Sequence, residues 1–213
     1  MQLFLSGSGS GEKSAQLDKK FIEAVGVEKP VLYIPIALGT TEHPYSACFE
    51  WIKGNFIPFN FSNFIMWTEK ELEGKTLKDF EQFSGVYIGG GNTFKLLKVL
   101  KELGIFEILK KLVEKNIPIY GGSAGAIILG KTISSAIGYD ENEVSLKDLS
   151  AMNLLNDYDV WSHYVERQNN EIKEYMSKYN LSKVFAIPED AGLYVTENEV
   201  VEVGKGEIIR IKC

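Results

Sequence analysis

A chain of 213 residues, 45% hydrophobic and 24% charged, has the size and composition of one globular domain that can bury a substantial core. Its net charge of -6, without any arginine-rich run, argues against nucleic acid as a partner, and no apolar run approaches a membrane span. Cys48 and Cys213 are the only cysteines, too few and too separated for a disulfide framework or a zinc site. The opening Gln2-Leu3-Phe4-Leu5 is too short for a signal peptide and no basic residue precedes it, so the expectation is a soluble cytoplasmic protein.

Residues 2–6 read as a first buried strand. The following Gly7-Ser8-Gly9-Ser10-Gly11-Glu12-Lys13-Ser14 nearly spells a phosphate-binding loop, but Glu12 replaces its second glycine. A carboxylate there would repel phosphate and block close backbone approach, which leaves a plain turn. Residues 14–25 are helical, with Leu17, Phe21 and Ala24 on one face. A second strand covers 31–36, a loop 39–44 and a helix 45–53. His43, in that loop, reads as a solvated histidine with no second ligand nearby. A third strand covers 64–67, a short helix 76–83, and a fourth strand 85–88 runs into Gly89-Gly90-Gly91-Asn92-Thr93. Helices follow over 93–103 and 106–115. Beyond residue 131 the chain is polar and acidic, with Asp140, Glu141, Glu143 and Asp148. A strand over 157–163 ends in His163, residues 169–179 are helical, and 184–187 form another strand. Three short β segments within 191–212 read as a terminal antiparallel meander. Strands that alternate with helices predict a doubly wound, mostly parallel sheet with helices on both faces. Without a repeat, low-complexity tract or linker, residues 1–213 read as a single α/β domain.

The stretch that carries chemistry is Ile119-Tyr120-Gly121-Gly122-Ser123-Ala124-Gly125-Ala126. It has the G-x-S-x-G form, with an apolar β-branched run before it and small apolar residues after it. Strand, sharp turn and helix are the context in which such a serine acts as a nucleophile. The turn forces Ser123 into a strained conformation, so its neighbours must be small, and the hydroxyl stands clear of the sheet. The N–H of Ala124 points to the same spot, at a helix start. The alternative is a tight glycine-rich turn with no chemistry. The triple glycine lies at the carboxyl end of a neighbouring strand, where ligands bind in open parallel sheets. It lets a backbone N–H approach closely, as a second oxyanion donor or as a phosphate cradle. A serine nucleophile needs a base and an orienting carboxylate. Of the two histidines, His163 is better placed than His43, since it ends an apolar strand downstream of an acidic loop.

Val86-Tyr87-Ile88-Gly89-Gly90-Gly91-Asn92-Thr93-Phe94-Lys95-Leu96-Leu97, then Gly122-Ser123-Ala124-Gly125-Ala126, then a strand ending at His163, resemble the peptidase E (aspartyl dipeptidase) family. That family includes the cyanophycinases and is related in fold to class I glutamine amidotransferases. The resemblance runs from Val31 through Ile187-Pro188-Glu189. It implies a serine-type dipeptidase that removes amino-terminal aspartate, with Ser123 as nucleophile, His163 as base, and the N–H groups of Ala124 and Gly90 as the oxyanion hole. It puts Asn92 and Thr93, inside the shared block, at the substrate. The family's third triad member lies in the loop after the elbow helix. Ungapped counting lands on Gly138, so Asp140 is the nearest carboxylate, with Glu141 and Glu143 behind it. The family also often has proline before the histidine, where this chain has Ser162. An arginine after the catalytic histidine reads the substrate's aspartate, a role that falls to Arg167, whose planar fork suits a carboxylate. No cofactor or metal is expected, the partner is a small peptide substrate, and the protein is a monomer or homodimer. A cyanophycinase-like isopeptidase, an esterase and a ligand-binding protein without turnover are the alternatives.

Overall fold

The structure, a computed structural model, describes residues 1–213 except Gly9, Thr41, Glu42 and Cys213. Part of the turn after the first strand, part of the His43 loop and one of the two cysteines therefore lie outside the described residues. Ten strands occur among the described residues: β1 Gln2–Ser6, β2 Val31–Ile34, β3 Phe64–Met66, β4 Gly85–Ile88, β5 Ile119–Gly122, β6 Tyr158–Trp161, β7 Lys183–Ala186, β8 Ala191–Thr196, β9 Val200–Gly204 and β10 Ile209–Lys212. The helices are α1 Ala15–Val25, α2 Tyr45–Phe56, α3 Glu69–Leu72, α4 Thr93–Glu102, α5 Ile105–Glu114, α6 Ala124–Ile127 and α7 Asn169–Tyr179. No helix among the described residues is long and apolar enough to cross a membrane.

A seven-stranded sheet has the order β3-β2-β4-β5-β1-β8-β9. Its strands are parallel from β3 through β1, and β8 and β9 extend it antiparallel. Side chains along a strand alternate between faces, and the sequence obeys this in each central strand. Leu3, Leu5, Leu32, Ile34, Val86, Ile88 and Ile119 pack with α4 and α5 on one face. Phe4, Val31, Tyr33, Tyr87 and Tyr120 pack with α1 and α2 on the other. The result is the expected doubly wound, mostly parallel sheet with helices on both faces.

A second sheet has the order β10-β7-β6, with α7 packed on it through Ile172 and Met176. The expected antiparallel strands at the carboxyl end are present, divided between the two sheets. β8 and β9 form a hairpin on the main sheet, but β10 pairs antiparallel with β7 in the second sheet. The cause is the turn: Lys205 and Gly206 donate their N–H groups to Asp190 O at 2.8 and 3.4 Å, which bends the chain away from β9. Residues 77–82 form a 3-10 turn, and α3 is an additional short helix, opened by a Thr68–Glu71 capping box.

Registers bring the loops together. Ser6 sits opposite Gly122, Ile88 opposite Gly121, and Trp161 opposite Ala186. The carboxyl ends of β1, β4 and β5 therefore share one edge. His163 N–H donates to Gly7 O at 3.1 Å, and Tyr164 N–H to Ile187 O at 3.1 Å, which ties the ends of β6 and β7 to that edge.

Candidate active site

Ser123 stands between β5 and α6 with φ 49° and ψ -111°. A positive φ is uncommon for a residue with a side chain, and this one holds the hydroxyl off the sheet. Its glycine neighbours are required by contact. A Cβ on Gly121 would lie 2.4 Å from Gly125 O, and one on Gly125 would lie 2.3 Å from Ile88 O.

His163 Nε2 lies 3.0 Å from Ser123 Oγ. His163 Nδ1 lies 3.1 Å from Glu189 Oε1, and Lys13 Nζ donates to the other carboxylate oxygen, Oε2, at 2.6 Å. Glu189 is held below the usual carboxylate range, first by the hydrogen bond from Lys13 and then by that from His163. The carboxylate facing His163 is thus Glu189, which follows β7, and not Asp140. Asp140 Oδ2 instead accepts the N–H of Thr93 at 2.8 Å, at the start of α4. Glu189 lies beyond His163 in the chain, not in the loop after the elbow helix where the family resemblance places the acid. The signal was present in Ile187-Pro188-Glu189, a carboxylate just past a strand, but only the parallel pairing of β6 with β7 brings it to the histidine. Lys13 belongs to the stretch that nearly spells a phosphate loop, and it binds a carboxylate of its own chain.

Gly90 lies beside the serine. A Cβ built on it would stand 3.1 Å from Ser123 Cβ and 3.8 Å from Oγ. Gly91, at φ 125°, passes so close to Ala37 that a Cβ would lie 2.4 Å from its carbonyl oxygen. Among the described residues, the N–H groups of Gly90 and Ala124 donate to no backbone carbonyl.

A cavity of about 860 Å³ opens beside Ser123 and His163. Gly90, Thr93 and Asp140 line it, as do His43 and the aromatic rings of Trp51, Tyr139 and Trp161. The Thr93 hydroxyl is buried and has no hydrogen-bond partner among the described residues. Asn92 does not line the cavity; its Oδ1 accepts Lys95 N–H at 2.9 Å and its Nδ2 donates to Glu141 O at 2.7 Å, so it caps α4. Arg167 is exposed in a 3-10 turn outside the cavity, whereas Gln168 next to it does line the wall. Among the described residues, no group of three or more His, Cys, Asp and Glu side chains is placed to hold a metal ion.

Residues 3–203 match the sequence profile of peptidase family S51. The chain belongs to peptidase family S51. It is 27% identical to a peptidase E of Actinobacillus pleuropneumoniae over 148 residues, which are 64% of this chain and 61% of that relative. It is 32% identical to the pyridoxal 5'-phosphate synthase subunit PdxT of Fervidobacterium nodosum over 78 residues, 37% of this chain and 39% of that one. The matched stretches thus span less than two thirds of these relatives. A solved structure of a provisionally assigned peptidase E protein from Listeria monocytogenes EGD-e superposes with a TM-score of 0.71 at 21% identity, over 96% of this chain and 98% of that one. That likeness is one of fold.

Proposed function

We propose that this S51 chain is a serine peptidase in which Ser123 is the nucleophile, His163 the base and Glu189 the carboxylate that orients the base. The observation that carries the reading is the unbroken contact series Ser123 Oγ to His163 Nε2 to His163 Nδ1 to Glu189 Oε1, at 3.0 and 3.1 Å. For proton transfer, Nε2 must be unprotonated and Nδ1–H must donate to Glu189, the tautomer that a carboxylate at Nδ1 favours. Ser123 Oγ then attacks the peptide carbonyl carbon while His163 takes its proton. The carbonyl oxygen becomes an oxyanion, held by the N–H groups of Ala124 and Gly90. The C–N bond breaks, the proton passes from His163 to the leaving amine, and water repeats the sequence on the acyl-enzyme.

Asp140 takes a different part from the one its sequence position suggested. One of its oxygens is fixed by Thr93 N–H, and no donor among the described residues reaches the other. It lines the cavity, so it can hold the ammonium of a substrate with a free amino terminus. A cavity of about 860 Å³ is within the usual range for small molecules and suits a dipeptide or similarly short peptide.

A fluorophosphonate probe tests the reading. It should label the native chain at Ser123, and Ser123→Ala should lose both labelling and peptide hydrolysis, a loss of about three orders of magnitude or more in kcat. His163→Ala should behave likewise, and His43→Ala should retain most activity. Hydrolysis that survives Ser123→Ala would end it.

A further inference from the structure

An enzyme that selects an acidic side chain must meet its carboxylate with a cation when it removes it from water. This cavity does not offer one. Among its described lining residues there is no lysine or arginine, and beside the neutral tyrosines and Cys48 the ionisable side chains are Asp140, His43 and His163. His163 is engaged by Ser123 and Glu189. Two nearby lysines are engaged as well. Lys13 is bound to Glu189, and Lys95 Nζ donates to Gly39 O at 3.0 Å and pairs with Glu69 at 3.6 Å. Arg167 is exposed and outside the wall. A second carboxylate here would also share a confined space with that of Asp140, and the like charges would repel.

What the wall does offer is aromatic surface. Trp51, on α2, and Tyr139 remain 44% and 53% exposed although both line the cavity, so their rings face its open space. Tyr139 is fixed: its ring meets Trp161 edge to face at 5.2 Å, its hydroxyl contacts Glu171, and Gln168 Nε2 donates to that hydroxyl at 2.9 Å. Rings held in this way are a preorganised surface for an apolar or aromatic side chain.

We infer that the site selects peptides whose amino-terminal residue carries an uncharged apolar or aromatic side chain, and that it discriminates against amino-terminal aspartate. This rests on the reading of Ser123 as the acylated nucleophile, and binding and turnover together separate the two. Hydrolysis of phenylalanyl-leucine, leucyl-leucine, aspartyl-leucine and lysyl-leucine is compared, and calorimetry measures their binding to Ser123→Ala. The two apolar substrates should exceed aspartyl-leucine and lysyl-leucine in kcat/KM by about tenfold or more, with the same order in binding. Trp51→Ala and Tyr139→Ala, both at partly exposed positions, should narrow that ratio by lowering kcat/KM and binding for the two apolar substrates more than for aspartyl-leucine and lysyl-leucine. If aspartyl-leucine or lysyl-leucine is the best substrate and ligand, the selectivity is wrong and the peptidase reading stands. If phenylalanyl-leucine binds best but is not cleaved, the selectivity stands and the peptidase reading falls. Absence of both binding and cleavage for all four overturns both.

Discussion

Lys13 Nζ lies 2.6 Å from Glu189 Oε2, on the carboxylate whose other oxygen faces His163. Their side chains are 57% and 45% exposed, so the pair does little for stability. Its effect falls on the charge of Glu189, which is held below the usual carboxylate range with Lys13 as the largest cause. A depressed carboxylate is ionised above its ordinary value and loses its charge only as pH falls through the lower folded value. Removing Lys13 therefore moves that loss to higher pH. Lys13→Met should shift the acid side of the kcat profile upward and leave the thermal midpoint unchanged, and Lys13→Arg should restore most of the profile. An unshifted profile in Lys13→Met would leave Lys13 with no part in positioning Glu189.

Glu189 and Asp140 are separated by kinetics. If Glu189 orients the base, Glu189→Gln should lower kcat by about three to four orders of magnitude, since the amide favours the wrong histidine tautomer. Asp140→Asn keeps an oxygen for Thr93 N–H, so the start of α4 should survive. It loses the charge that faces a substrate ammonium, and the expected change is a rise in KM with a smaller change in kcat. The reverse pattern would return the orienting role to Asp140.

The backbone at Ser123 makes a stability prediction. A non-glycine residue at φ 49°, ψ -111° stores roughly 1–3 kcal/mol. Glycine adopts such angles freely, at an entropic cost of about 0.5–1 kcal/mol. Ser123→Gly should therefore be inactive yet more stable than Ser123→Ala by about 1 kcal/mol, or roughly 2–4 °C in Tm for a chain of this size. Equal midpoints for the two variants would show that the elbow is unstrained.

Much of this arrangement can be read from local sequence, and its gaps have a common cause. Alternation in Leu3-Phe4-Leu5 and Val31-Leu32-Tyr33-Ile34 assigns strand faces without a structure, and the glycines around Ser123 announce the turn. The short hydrogen-bonded series needs more. Glu189 reaches His163 only because β6 and β7 pair in parallel across the α7 crossover, and no local signal states that pairing. Asp140 looked catalytic because it is the acid nearest the expected position, yet long-range contact with Thr93 takes one of its oxygens. Asn92 and Thr93 show the same split. The motif places both near the substrate, but Asn92 is spent as a helix cap and only Thr93 faces the cavity. The path of β10 was hidden because Asp190 O, far from the turn in sequence, captures the N–H groups of Lys205 and Gly206.

Behind the site, Asp18 on α1 is buried against the sheet, where it accepts hydrogen bonds from Ser14 Oγ at 2.6 Å and Tyr120 Oη at 2.7 Å. Those bonds favour the charged form, but burial outweighs them and pushes the carboxyl from its ordinary 3.8 up to about 6. The folded state therefore holds a proton that the unfolded chain releases. The resulting stability is fully present below the ordinary value and is lost as pH rises through about 6. At 1.36 kcal/mol per pH unit, the contribution at stake is about 3 kcal/mol. Asp18→Asn keeps the shape, can still accept from Tyr120, and cannot ionise. Wild type and Asp18→Asn should unfold at similar urea concentrations at pH 4, and the variant should be more stable at pH 7.5. The difference between them isolates this group from other titrations. A difference that stays constant from pH 4 to 7.5 would mean that Asp18 carries the same charge in the folded and unfolded chain.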